Sequence, residues 1–190
     1  FLEQNRYDDA IYQLNESIGI FDQLLKIDPG NAQWHGDLLE ALVLIGDTHV
    51  KQSHISRAVD IFTRGIHVAE EQLSRSPNDP TARRSLAVAH GKVGVAFLSE
   101  KNYTMARAPF ERAADLSEQN RAMYPNDPRF LEDCVSNLWN LGVVCINLQD
   151  QTSGEAFLQL CHDRLKLMQT KGLPIKGMMR QVWNILSGTN

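Results

Sequence analysis

The sequence predicts an all-α fold in which antiparallel helix pairs recur at an interval of about 48 residues. Three features indicate this: prolines in register, capping residues directly after them, and apolar residues at helical spacing. Pro29, Pro77 and Pro125 are evenly spaced, and Gly46 and Gly94 keep the same interval. A fixed period of about 20 to 50 residues is typical of stacked-repeat proteins, so a repeat array is the predicted architecture.

The first helix of each pair is predicted to begin at a capping residue after the proline turn. Asn31, Asp79 and Asp127 are favourable N-cap residues, and Pro80 and Pro128 suit the first helical position. The apolar residues that follow are spaced by three and four, which predicts one buried stripe along each helix. In the first two pairs this stripe contains Leu38, Leu42, Ile45, His49, Leu86, His90, Val93 and Phe97.

The second helix of each pair is predicted to begin after a short polar stretch. Its expected N-caps, which keep the interval of the prolines, are Asp8, Ser56, Thr104 and Thr152. We therefore expect one repeat domain over residues 1–190. It comprises a half repeat at 7–27, pairs at 31–75, 79–123 and 127–170, and a capping helix at 174–187.

Charge and hydropathy argue against two classes of partner. The chain has 19 Lys and Arg against 23 Asp and Glu, a net charge of −4, and no dense basic run, so we expect no nucleic-acid binding. The longest apolar runs fall far short of the roughly 20 residues of a membrane span, so we expect no membrane partner. The chain starts at Phe1 without a signal-type segment, which indicates a piece of a longer protein.

The cysteines and motifs favour a binding role over catalysis. Cys134, Cys145 and Cys161 form an odd set without CxxC spacing, which favours a reducing, cytoplasmic location over disulfides or a thiolate metal site. Cys161 and His162 are adjacent, and adjacent helical side chains point about 100° apart, so they do not form a nucleophile and base pair. No phosphate loop, HExxH or GxSxG motif is present, so we expect no enzyme, cofactor or metal.

The repeat resembles the tetratricopeptide repeat, which places small residues and an aromatic at fixed positions of its helix pair. The ordinary unit has about 34 residues, so here both helices are longer. The matching sets are Gly46, Ala58, Phe62 and Gly65; Gly94, Ala106, Phe110 and Ala113; and, more weakly, Gly142, Gly154, Leu158 and Cys161. The resemblance implies a right-handed superhelical array, an α-solenoid.

In function, the resemblance implies a protein-interaction scaffold or the sensor segment of a multidomain signalling protein, which binds a peptide or protein partner on its concave face. The alternative is a self-association module, because open repeat ends expose apolar surface and would favour a homo-oligomer. Basic and Asn residues that clamp a carboxylate tail in chaperone-binding relatives are absent here. Asp47, Val95 and Val143 stand at those positions, so a chaperone-tail adaptor is disfavoured.

The outward positions of the first helices are the expected contact surface. They include Glu40 and Val43, and the residues that we expect to bind the partner are Asp47, Val88, Val95, Leu98, Trp139, Val143, Ile146 and Asn147. If exposed, their apolar members would form a patch of a few hundred Å², with Trp139 as its anchor. The alternative is that the same residues pack against neighbouring first helices.

Overall fold

The computed structural model describes the backbone of residues 2–188 and the side chains of residues 6–188. This part of the chain contains eight α-helices and no strand, which confirms the all-α prediction. The helices are α1 (Leu2–Ile27), α2 (Ala32–Lys51), α3 (Ile55–Arg75), α4 (Pro80–Ser99), α5 (Tyr103–Met123), α6 (Pro128–Asn147), α7 (Gln151–Thr170) and α8 (Gly177–Ser187).

The helices form two compact units, which are described separately. Unit 1 extends from Phe1 to Glu100 and contains α1 to α4, and unit 2 extends from Lys101 to Asn190 and contains α5 to α8. Within each unit every helix packs on the next one along the chain, and α2 also contacts α4, as α6 contacts α8. That the whole chain forms a single repeat domain stays a prediction.

The period of the repeat is visible in the helix bounds. The first helices α2, α4 and α6 have 20 residues each and begin at Ala32, Pro80 and Pro128. Their predicted caps are confirmed, because the side chains of Asn31, Asp79 and Asp127 accept hydrogen bonds from backbone amides of the first turn, at 3.1, 2.8 and 3.0 Å. Local capping chemistry therefore sets where these helices begin.

The predicted caps of the second helices were wrong. The observed N-caps are His54, Asn102 and Asp150, two residues before Ser56, Thr104 and Thr152, and Asp8 lies inside α1, which begins at Leu2. The reason is a tight reversal at the end of each first helix. A residue with positive φ turns the chain there, so the next helix starts earlier; these residues are Ser53, Lys101 and Gln149.

The helix at the end of the described chain also differs from expectation. It begins at Gly177 rather than at 174, and it has 11 residues. Gly172 and Gly177 both have positive φ, and the segment between α7 and α8 is not helical, so α8 begins three residues after the predicted bound. Val182 is the one fully buried residue of α8.

The predicted stripes form the interior of unit 1. Leu38, Leu42, Ile45 and His49 are buried on α2, whereas His90 and Phe97 on α4 are only half-buried. One apolar cluster contains Ile18, Leu38, Ala41, Leu42 and Ile45, and a second contains Ile55, Ala58, Phe62, Val93 and Ala96. In unit 2, Leu138, Leu141 and Cys145 of α6 are buried, in agreement with one buried stripe along each first helix.

Candidate functional site

A groove of about 230 Å³ lies between α2 and α4 of unit 1. Its lining comes from successive turns of the two first helices, and we refer to it as the α2–α4 groove. The lining residues are Gly36, Leu39, Glu40, Val43, Thr81, Arg84, Ser85 and Val88.

The apolar part of the α2–α4 groove packs against α3 on the side away from solvent. Leu39 is buried, and its Cδ1 atom lies only 3.0 Å from where a Cβ would stand at Gly65, so α3 packs directly against this side chain. Val43 and Val88 are half-buried beside it. Because Leu39 is buried and packs closely on the backbone of Gly65, the floor of the groove is a fixed apolar surface.

The polar part of the α2–α4 groove lies on its rim. Glu40 is exposed, and Thr81 and Ser85 add hydroxyl groups from the first turns of α4. One helical turn beyond Val43 and Val88, the Nζ atom of Lys92 lies 2.5 Å from a carboxylate oxygen of Asp47. This ion pair joins α2 to α4 where the groove ends.

In unit 1, the predicted contact residues have different positions. Val88 lines the α2–α4 groove, as do Glu40 and Val43, whereas Asp47 is engaged by Lys92. Val95 is exposed and Leu98 is half-buried further along α4. Arg84, Thr81 and Ser85 were not predicted. The signal that could have found them is spacing, because Thr81, Arg84 and Ser85 lie seven, four and three residues before Val88, on one side of the helix.

In unit 2, the predicted contact residues differ in burial and in packing. Trp139 and Val143 are half-buried. Ile146 packs toward α7, because its Cδ1 atom lies 2.6 Å from where a Cβ would stand at Gly154. The exposed Asn147 donates a hydrogen bond from its side-chain nitrogen to the Val143 carbonyl, at 2.8 Å.

The turn between α2 and α3 contains a pair of histidines. His49 is buried and its Nδ1 atom has no hydrogen-bond partner, while its ring lies 6.0 Å from the ring of His54. Burial lowers the pKa of His49, and the neighbouring His54 and Arg57 lower it further, against a smaller opposing effect of a hydrogen bond with Gln52. The neutral form of His49 is therefore favoured in the folded turn.

The thiols of unit 2 are enclosed. Cys134, Cys145 and Cys161 are free and buried. Burial raises the pKa of Cys161 to about 12, and its Sγ donates to the carbonyl oxygen of Val135 at 3.4 Å. Burial and the nearby Glu118 also raise the pKa of Cys134. These thiols stay protonated near neutral pH.

The described residues contain neither a metal-binding cluster nor a helix suited to span a membrane. No group of three or more His, Cys, Asp or Glu side chains in this part of the chain is arranged to hold a metal ion. None of its helices combines the length and the apolar character that crossing a membrane requires.

Comparison with known proteins identifies the fold but no family. No protein-family model matches the chain, and no curated protein matches it. Among solved structures, BtubC (BKLC) from P. vanneervenii is similar, with a TM-score of 0.64 and 16% sequence identity over 96% of this chain. The match spans 65% of the length of BtubC. At this identity the similarity shows a common helical fold and nothing about function.

Proposed function

We propose that this chain is a protein-interaction module that binds a segment of another protein in the α2–α4 groove. The observation that supports this proposal is the fixed apolar floor formed by Leu39, Val43 and Val88 under a polar rim. An apolar floor with a few polar groups at its edge is the usual arrangement of a recognition site. The chain then acts as a scaffold or as the sensor segment of a larger protein.

The size of the α2–α4 groove favours a peptide over a small molecule. Its volume of about 230 Å³ lies below the roughly 300 to 1,000 Å³ that is typical of small-molecule pockets. It matches one or two apolar side chains of a longer segment. The exposed Glu40 on the rim suits a basic residue of that segment, and the hydroxyl groups of Thr81 and Ser85 suit its backbone.

A peptide library displayed on phage and selected against the chain tests this proposal. Peptides that the chain enriches are then measured by calorimetry with the parent, Val88→Asp and Leu44→Asp. Leu44 is the matched control, because it is an exposed apolar residue of α2 that does not line the groove. We expect Val88→Asp to weaken binding about tenfold or more, which corresponds to about 1.4 kcal/mol, and Leu44→Asp to leave it nearly unchanged.

Circular dichroism of both variants controls for folding. An equal loss of affinity in the two variants, or full binding by a folded Val88→Asp chain, would place the recognition surface elsewhere.

Self-association is a second candidate, which the exposed surface of α1 favours. Ile20 is 60% exposed and Ile27 is 80% exposed. Ala10 is also exposed, whereas Ala58 at the same repeat position of α3 is fully buried. Light scattering over a wide range of concentration, with Ile20→Lys as the variant, separates the candidates. A monomer at all concentrations rejects self-association, and a dimer that Ile20→Lys abolishes supports it.

The tetratricopeptide assignment is part of the same proposal. It is supported by the close approach of Gly46 to the ring of Phe62, in which a small residue of the first helix meets an aromatic of the second. A right-handed superhelical array and a cytoplasmic location are further expectations. The free thiols of unit 2 are consistent with a reducing compartment.

A further inference from the structure

The end of α2 is closed by a hydrogen-bond pattern that brings two histidines together. Ser53 has a φ of 60°, and its amide donates to the carbonyl of Val50 at 2.9 Å. The amide of His54 donates to the carbonyl of His49 at 2.8 Å. In this type of helix ending, the residues at the positions of His49 and His54 usually make an apolar contact. Here both are histidines, and their ring centroids are 6.0 Å apart.

His49 stands at a position that is otherwise apolar. The residues one and two repeats later are Phe97 and Cys145. His49 is buried, as Cys145 is, but its Nδ1 atom has no hydrogen-bond partner among the described residues. A buried polar atom without a partner destabilises the folded state, and protonation would add a charge to the same site.

The charged groups near His49 disfavour its protonated, positively charged form. Arg57 on α3 and His54 in the turn are both basic, and both disfavour the protonated ring. On the side of α1, Arg6 lines a cavity with Thr48, the residue next to His49. From α4, the adjoining apolar cluster receives Val93, Ala96 and Phe97, which are uncharged. Among the described residues, no carboxylate is one of the groups that shift the pKa of His49.

His54 weakens the start of α3 at the same point. It occupies the N-cap of α3, but its side chain makes no capping hydrogen bond, whereas Asn102 and Asp150 cap the equivalent helices. The first turn of α3 is therefore the least supported part of this connection.

We propose that the α2–α3 turn is a pH-sensitive joint, which stays closed while His49 is neutral and opens at the first turn of α3 when His49 takes up a proton. In the unfolded chain a histidine titrates near 6.5, and in the closed turn it titrates lower. The closed form is therefore fully stable above pH 6.5. It loses stability as the pH falls below 6.5, until the pKa of His49 in the closed turn is reached.

Hydrogen exchange on the whole chain tests this joint. Protection factors, which remove the intrinsic pH dependence of exchange, are measured for residues 49–58 and for the equivalent residues 145–154. Between about pH 7.5 and about pH 5.5 we expect residues 49–58 to lose up to about tenfold in protection, because the lower pH lies about one unit below the pKa of an unfolded histidine. Residues 145–154 should change little.

Two variants and one titration complete the test. His49→Phe, the residue at the equivalent position of α4, should abolish the loss, while His67→Gln on the exposed side of α3 should preserve it. The titration of the His49 ring by NMR in the parent is independent of whether His49→Phe folds. A ring that titrates at or above 6.5, or an equal loss of protection in His49→Phe, would overturn the proposal.

Discussion

The α2–α3 turn of unit 1 and the α6–α7 turn of unit 2 share one backbone conformation and differ in the side chains that support it. Ser53 and Gln149, each two residues after the end of its first helix, have φ values of 60° and 62°. In both turns the next amide donates to the carbonyl five residues earlier, at 2.8 Å in unit 1 and 3.0 Å in unit 2. The repeat therefore preserves the turn itself.

The α6–α7 turn of unit 2 has more stabilising side-chain contacts than the α2–α3 turn of unit 1. Asp150 caps α7 by accepting from the amide of Ser153 at 3.2 Å, and it also accepts from Arg107 of α5 at 3.0 Å. His54, at the equivalent position, makes no capping hydrogen bond. Cys145 is an apolar residue where unit 1 has His49. Equal backbones therefore need not have equal stability, because the caps and the buried polar atoms differ.

The largest expected effect concerns the glycine that lies near the end of each first helix. A Cβ at Gly46 would overlap the ring of Phe62, 2.5 Å from its Cζ and closer still to its Cε1, whereas one at Gly142 would lie 2.7 Å from Leu158, a more flexible side chain. Gly46→Ala should cost about 2–3 kcal/mol of unfolding free energy even after the helix preference for Ala, and Gly142→Ala about 1 kcal/mol or less.

Urea denaturation followed by circular dichroism measures both glycine variants. Phe62→Leu copies unit 2, so the double variant with Gly46→Ala should recover part of the loss. Equal losses of unfolding free energy in the two glycine variants would show that the Phe62 ring moves aside as readily as the Leu158 side chain.

A smaller effect concerns the acid response of unit 2. Burial alone would raise the pKa of Glu118, but hydrogen bonds from Arg164 and Arg121 outweigh burial and lower it. Glu118 joins α5 to α7 through Arg164, at 2.8 and 3.1 Å. Its contribution is therefore present above the ordinary value of 4.5 and is lost as the pH falls below it.

Glu118→Gln should destabilise unit 2 by about 1–2 kcal/mol at neutral pH and flatten its acid response below pH 4.5. Hydrogen exchange of α5 and α7 against pH is the measurement. Unit 2 should thus keep its protection between pH 6.5 and pH 4.5, where the α2–α3 turn weakens. Loss of protection in both units over the same pH range would contradict the proposed difference in acid response between the α2–α3 turn and unit 2.

The smallest expected effect transfers a cap from unit 2 to unit 1. His54→Asp places at the start of α3 the residue that caps α7, and it should stabilise unit 1 by about 1 kcal/mol at neutral pH. Thermal melting of the parent, His54→Asp and His54→Ala separates the cap from the removal of the histidine. An equal gain in melting temperature for His54→Asp and His54→Ala would show that the missing capping hydrogen bond does not destabilise this turn.

Much of the fold was determined by the sequence alone. The all-α class, the starts of α2, α4 and α6, and the buried stripe of α2 follow from capping residues and from three- and four-residue spacing. These features depend on neighbours within about one helical turn, so a single chain segment contains the information that sets them.

The tertiary structure decided the rest. The positive φ of Ser53 and its counterparts moved the second helices two residues earlier than their Ser and Thr residues indicated. Ile146 packs toward α7 because Gly154 has no side chain, and Asp47 is engaged by Lys92, 45 residues away. Val88 lies in a groove because Leu39 and Val43 of α2 stand opposite it, and α3 packs behind Leu39. Such outcomes depend on atoms of distant helices, and helical periodicity specifies which side of a helix a residue is on but not what lies opposite it.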